Sequence, residues 1–264
     1  MEPSPARVHA ASAAWLWVPS EARVLQAEDY LAVRFPLWFE HPLQLLVVRP
    51  RERDVETVLD DALERARTEL VDGTDLTELV AWVRLDAPGG LEAALVARGG
   101  VVDETLDVLA RALVDPPDLA LPADVDVRWA DDIETFVDSV HLNADVFGGT
   151  RPERAALERL FAGERAKLRS GGGGAVVAYV DGAPVGTGGI TVAGPDGRLW
   201  GGGVLPEARG RGVYRALLAA RLAYAVAQGC ELAIVKGRVE TSGPILRRAG
   251  FAPYGQERSY RLSL

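Results

Sequence analysis

The chain has 264 residues, 48% of them hydrophobic and 25% charged, a globular composition sufficient for one large or two modest domains. Its net charge of −9 argues against a generic nucleic-acid surface, and no run of about 18 apolar residues offers a membrane span. The single cysteine, Cys230, excludes an intramolecular disulfide and a cysteine-rich zinc site, and His9, His41 and His141 are too dispersed to suggest a metal site. The first 17 residues carry early acidic and proline residues and no signal-like apolar stretch, so a cytoplasmic protein is expected.

In chain order, Leu43–Arg49 reads as a strand, Val55–Leu70 as a helix, Glu78–Arg84 as a strand and Gly90–Gly99 as a short helix. Trp15, Trp17, Trp38 and Trp82 supply aromatic packing in this half. The proline-rich stretch Val114–Asp124 reads as a linker, because proline removes backbone donors and disfavours helix before it. Charge divides at the same place. Residues 1–121 hold 11 basic and 22 acidic side chains, and residues 122–264 hold 18 and 16. An anionic ligand therefore finds the later half the better host.

Beyond the linker, Val125–Trp129 alternates as a strand, and Asp131 or Asp132 caps a helix through about Val140. Pro152–Leu168 reads as a helix and Ser170–Gly174 as a flexible glycine loop. Two strands, Ala175–Val180 and Ala183–Val192, flank an Asp181-Gly182 hairpin turn, and a turn at Gly194–Gly197 leads into the strand Arg198–Leu205. A long apolar helix spans about Gly212–Gln228 and stops at Gly229. Glu231–Lys236 is a strand, Ser242–Ala249 a short helix, and Phe251–Leu264 forms closing strands. The fold class is α+β (mixed α/β), with an antiparallel meander followed by a helical crossover.

The chemistry concentrates in the loop Pro206–Tyr214, between a strand and the long helix. Gly210 and Gly212 allow a tight turn and close approach of backbone to a ligand. First-turn amides of the helix lack intrahelical acceptors, the helix dipole favours negative charge there, and Arg209, Arg211 and Arg215 add positive charge. The combination suits a pyrophosphate. It is not a Walker loop, because no Gly-Lys-Ser/Thr follows, and it lacks the third glycine of the dinucleotide fingerprint.

Gly203-Val-Leu-Pro-Glu-Ala-Arg-Gly-Arg-Gly-Val-Tyr-Arg-Ala-Leu-Leu218 resembles motif A of the GNAT superfamily of acyl-CoA-dependent N-acyltransferases. That family's Gln/Arg-x-x-Gly-x-Gly/Ala pattern matches at Arg209 and Gly212 and reaches the Tyr214 position. Pro244–Phe251 is similar to the family's helix-to-strand signature near the carboxy terminus, and the resemblance covers about residues 125–264. It implies a mixed sheet flanked by helices, with acetyl-CoA or another acyl-CoA as co-substrate and no metal. Backbone of Val204 and Leu205 would pair with the pantetheine arm. Arg209, Gly210, Arg211, Gly212, Val213 and Tyr214 would hold the pyrophosphate. A neutral amine would attack the thioester, with a base and an acid handling the protons.

The sequence departs from that pattern in three places. Tyr214 stands where Gly or Ala is usual, Leu246 stands where many members place an acid tyrosine, and Leu199–Val204 carries no carboxylate for a base. Glu240 is the best-placed carboxylate by sequence, His141 is a candidate acting through water, and Cys230 reads as a buried small hydrophobe. The order strand, helix, strand, helix recurs between the halves at offsets of about 150–160 residues, as a duplicated domain would give. The loop Arg49–Asp54 in the first copy has no glycine, loses an amide at Pro50 and adds acidic groups. Residues 1–118 are therefore expected to be a degenerate GNAT-like domain without a CoA loop, and 119–264 the acetyltransferase domain. The expected acceptor is a small-molecule amine, with neither nucleic acid nor membrane as partner, in a monomer or a homodimer. Two alternatives stay open: an acyl-CoA-binding regulatory or sensor protein without turnover, and a protein-lysine acetyltransferase.

Overall fold

A computed structural model describes residues 2–114, 119 and 121–264. The expected linker includes residues 115–118 and 120, which lie outside the described residues. In chain order the elements are α1 (Pro5–Ala13), β1 (Arg23–Gln26), β2 (Tyr30–Arg34), β3 (Leu43–Val48), α2 (Val55–Arg65), β4 (Glu78–Val83), α3 (Leu91–Ala97) and β5 (Val101–Ala112). They continue as β6 (Val125–Trp129), α4 (Ile133–Phe147), α5 (Arg154–Arg169), β7 (Gly173–Val180), β8 (Ala183–Ala193), β9 (Asp196–Val204), α6 (Val213–Ala227), β10 (Leu232–Arg238), α7 (Ser242–Arg248) and β11 (Ala252–Ser263). The chain forms two compact units, and neither is one continuous stretch. The C-unit comprises Met1–Val8, Leu109–Lys236 and Pro244–Pro253; the N-unit comprises His9–Val108, Gly237–Gly243 and Tyr254–Leu264.

In the C-unit the strand order is β10-β9-β8-β7-β6. Strands β6 to β9 form an antiparallel meander, and β10 returns parallel to β9 after the α6 crossover. The β7–β8 turn is tight because Asp181 and Gly182 both take positive φ, 51° and 77°, which matches the twist of the flanking strands. Part of the glycine tract read as a loop is strand: β7 begins at Gly173, whose φ is 93°. A Cβ there would come within 2.1 Å of the Ile190 carbonyl oxygen, so the glycine lets β7 lie against β8. Asp132 caps α4, its carboxylate accepting the Thr135 N–H at 2.9 Å. The helix runs past the expected end near Val140 to Phe147, since Leu142 and Ala144 continue its buried face until Gly148 stops it at φ 92°. Helix α6 buries Val213, Leu217, Leu218, Leu222 and Ala225, and Leu218, Leu222 and Ala225 pack with Leu109, Ile190, Leu199, Ala233 and Leu246 in one core.

In the N-unit, β1, β2 and β3 are antiparallel, and β4 lies parallel to β3. Helix α2 connects them, capped by Asp54 and continued by a π-helical turn at Ala66–Leu70. Its core includes Tyr30, Leu43, Leu45, Leu59, Leu79, Leu95 and Leu262. The expected closing strands are a single strand, β11, which pairs antiparallel with β4 from Arg258↔Val83 to Ser263↔Glu78. The end of the chain thus completes the sheet of the unit built from its beginning. Glu257 on β11 is fully buried, accepting from the Ser12 hydroxyl at 2.8 Å. Sequence reading did not identify α1, β1, β2 or β5: the first three are short, and β5 mixes Asp103, Glu104, Asp107 and Arg111 with apolar residues.

Candidate functional site

The site is built where β9 leaves β10. Their parallel pairing runs from Asp196↔Leu232 to Leu199↔Val235, and Trp200–Val204 continues without a β10 partner. Register with β8 shifts between Thr187 and Gly189, so β9 carries an extra residue there, and Gly201 sits at φ 58°. This bulge re-aims the backbone at the point of divergence. The Leu205 N–H donates to the Val185 carbonyl at 2.9 Å, and its carbonyl accepts from Ala208 N–H at 3.0 Å, so both backbone groups of Leu205 are engaged within the chain. By strand alternation Val204 turns its backbone to the opposite edge, where its carbonyl accepts from Nε of Arg209 at 3.3 Å.

After a 3₁₀ turn at Pro206–Ala208 the chain enters the glycine loop. Gly210 and Gly212 take φ 78° and 82°, and nothing stands within 4 Å of where a Gly210 Cβ would be. The first bond of α6 runs from Ala216 N–H to the Gly212 carbonyl at 3.0 Å. Among the described residues, the amides from Gly210 to Arg215 donate to no protein acceptor. Six consecutive donors at the positive end of a 15-residue helix form an anion cradle, and the residues present fit a pyrophosphate.

The arginines contribute unequally. Arg211 pairs with Asp124 at 2.6 Å, which holds that carboxyl below its usual range and spends part of the cation's charge. Arg215 folds back, its Nη2 lying 2.9 Å from where a Gly212 Cβ would stand. Val213 is buried, and the half-buried Tyr214 turns its ring toward Gly202. The expected site residues Val204 and Arg209–Tyr214 therefore fall along one strand-end and loop, while Leu205 supplies the turn.

Other candidates stand elsewhere. Glu240 is exposed in the turn after β10 and belongs to the N-unit. His141 on α4 is half-buried, with Nε2 3.4 Å from the Pro152 carbonyl. Leu246 is fully buried in the apolar core, and Cys230 is buried, its thiol pushed up by burial and by nearby Asp196. Sequence reading missed Arg221, a fully buried cation in the middle of an apolar helix. Its signal was the interruption of the stripe between Leu218 and Leu222. Among the described residues no three His, Cys, Asp or Glu side chains gather as a metal site, and no helix is long and apolar enough to cross a membrane.

The N-unit repeats the strand–helix–strand arrangement with β3, α2 and β4, but amides of its loop are taken by Asp29 and Asp54 of the same unit. Arg51 N–H donates to Asp29 at 2.9 Å, Arg49 N–H donates to the Asp29 carbonyl at 2.6 Å, and Asp54 takes the Thr57 N–H at 2.8 Å. Arg53 pairs with both Asp29 and Asp61. Pro50 has no amide to offer.

Residues 140–251 match the family model described as the acetyltransferase (GNAT) family. A GCN5-related N-acetyltransferase from Kribbella flavida is similar in fold, with 21% identity, a TM-score of 0.65, and 91% of this chain and 89% of that one covered. One from Sphaerobacter thermophilus gives 17% identity and a TM-score of 0.67 over 99% of this chain and 94% of that one. A tandem GNAT protein from the clavulanic acid biosynthesis pathway gives 20% identity and a TM-score of 0.60 over 94% and 85%. No curated relative matches the sequence.

Proposed function

Because residues 140–251 match the model of the acetyltransferase (GNAT) family, we propose that this chain transfers an acetyl group from acetyl-CoA to a primary amine of a small-molecule acceptor, in the cytoplasm. The observation that carries this reading is the run of undonated amides from Gly210 to Arg215 beside the open edge of β9. Those amides and the α6 dipole hold the pyrophosphate, and the Val204 backbone on the open edge pairs with the pantetheine arm. Acetyl-CoA supplies an acyl carbon on sulfur: the amine nitrogen bonds to that carbon as the carbon–sulfur bond breaks, the sulfur leaves as thiolate, and the amine's proton passes to solvent or a base. Trp200–Val204 places no ionisable side chain at the bulge, so the chain's contribution there is orientation of an amine that arrives neutral.

The N-unit is read as a worn copy of the same fold. Asp29 and Asp54 occupy the amides that a pyrophosphate would need, which supports a non-binding role for this half.

Calorimetric titration of acetyl-CoA into the full chain tests the reading, followed by thiol release with polyamines, aminoglycosides and lysine peptides. One-to-one binding and thiol release with a small amine are expected; absence of binding refutes the assignment, and turnover only with peptides makes it a protein acetyltransferase. The core position of Leu246, where many members of the family that the sequence resembles place an acid tyrosine, favours one second reading, an acyl-CoA sensor. Binding without thioester consumption would select it.

A further inference from the structure

Arg221 lies two turns into α6 and is 1% exposed. Its Nε donates to the Leu217 carbonyl at 3.0 Å and its Nη1 to the Trp200 carbonyl at 3.4 Å. Nη2 is buried with no hydrogen-bond partner, and among the described residues no carboxylate pairs with this cation. The Tyr214 ring lies 5.8 Å from Cζ. Burial pushes the guanidinium below its usual pKa and the neighbouring Tyr214 phenol pulls it back up; arginine side chains keep their proton in proteins. A buried cation without a counter-ion is among the costliest groups a core can hold, so its position calls for a physical reason.

The position is specific. Two glycines make room for the head group: a Cβ at Gly188 would stand 3.0 Å from Cζ, and one at Gly202 would stand 3.3 Å from Nη1 and Nη2. The carbonyl held by Nη1 belongs to Trp200, the first residue of β9 beyond its last β10 pair. The Trp200–Gly201 peptide is the one that enters the bulge. In a trans peptide the Gly201 N–H points away from the Trp200 oxygen. Anchoring that oxygen on a cation therefore fixes the direction of the N–H and strengthens it as a donor. On Gly201 the approaching group is the Asn143 amide of α4, whose Nδ2 lies 3.1 Å from where a Cβ would be.

Distance along the strand connects this peptide to the cradle. From Leu205 back to Trp200 is five residues, about 16 Å of extended strand, a span suited to a pantetheine arm reaching from a pyrophosphate to its thioester. We propose that Arg221 is a positioning residue for acyl transfer, a buried cation that acts through the Trp200–Gly201 peptide to polarise the thioester carbonyl bound at the β9 bulge. The inference rests on the acetyl-CoA reading above and adds a residue that touches neither substrate.

The test uses the full chain with acetyl-CoA carrying ¹³C at the acyl carbonyl. The carbonyl resonance of the bound thioester is compared in the wild type, Arg221→Met, Arg221→Lys and Gly188→Ala. Arg221→Met should bind with wild-type affinity, because the cradle is intact, while the carbonyl resonance moves back toward its free position. Arg221→Lys should retain most of the bound shift. With an accepted amine, kcat should fall about tenfold to a hundredfold in Arg221→Met with KM unchanged, as expected for charge stabilisation felt mainly in the transition state. Should Arg221→Met fail to fold, Gly188→Ala carries the test, since it displaces the guanidinium without removing it and should shift the resonance in the same direction. Bound acetyl-CoA with one carbonyl position in all variants overturns the role of Arg221 and leaves the transfer reading standing. A wild-type chain that binds no acetyl-CoA overturns the transfer reading, and this inference with it.

Discussion

Gly212→Asp is the sharpest perturbation of the cradle, because its effect separates into two parts of different origin. Gly212 is the left-handed cap of α6 at φ 82°, and a Cβ there would approach Nη2 of Arg215 at 2.9 Å and Pro122 at 3.3 Å. A side chain in that conformation costs about 1–2 kcal/mol, less for Asn or Asp, and the cost falls on the fold whether or not ligand is bound. The charge acts on binding, and beside Arg215 at the start of α6 it also returns part of the strain to the fold. A carboxylate about 5 Å from a doubly charged pyrophosphate is repelled by about 1.7 kcal/mol at the dielectric of water and about 6.6 kcal/mol at an effective dielectric of 20. The smaller figure already weakens acetyl-CoA by nearly twentyfold. Gly212→Asn carries the same strain without the charge, so it should lose at least as much melting temperature and keep its affinity within about threefold of wild type. Calorimetry on both variants provides the comparison, and the difference between them should shrink in about 1 M salt, where the Debye length is about 3 Å. Equal affinities in the Asp and Asn variants would refute an anion site at this loop.

Other outcomes follow from the geometry of both units. Gly189→Ala would bring a Cβ within 2.2–2.5 Å of the Trp200 ring, which donates to Thr191, and should cost about 1–3 kcal/mol in denaturant unfolding. Replacing the loop Arg49–Asp54 with alanines at Arg51 and Glu52 should leave acetyl-CoA affinity unchanged in titration; a large loss would assign the cofactor to the N-unit. Asp54 and Asp132 are held below their ordinary value of 3.8, first by the Thr57 and Thr135 amides respectively. A depressed folded pKa means their stabilisation is full above about pH 4 and is lost as pH falls through the folded value. Asp54→Asn and Asp132→Asn should therefore be less stable than wild type at pH 7 and converge with it in acid, which flattens the acid limb of a stability–pH profile.

What could be read from the residues was whatever local chemistry imposes. The strand–glycine loop–helix sequence around Gly210 and Gly212 could be located because positive φ, a free helix start and an apolar stripe each leave a mark in the residue order. The Asp181-Gly182 hairpin and the Asp132 cap were visible for the same reason. Features set by distant parts of the chain were not. Gly173 and Gly174 look like a linker until the Ile190 carbonyl is seen to leave no space for a side chain at Gly173. Arg221 looks like a solvated helix residue until Gly188 and Gly202 are found beneath it. The engagement of Leu205 depends on Val185, twenty residues upstream, and the placement of β11 in the N-unit depends on β4, more than 170 residues away. No window of sequence contains such pairs.

The interleaving of the units also constrains the order in which the protein can be made. The sheet of the N-unit has β11 between β4 and β5, so one of its interior strands is synthesised only after residues 113–251. At roughly 5–20 residues per second, translation leaves the first 108 residues without that strand for roughly ten to thirty seconds. During that time β4 presents an unpaired edge to solvent, the condition under which nascent chains recruit chaperones or one another. Truncation ahead of Ala252 would thus leave the earliest-made unit as the part that fails.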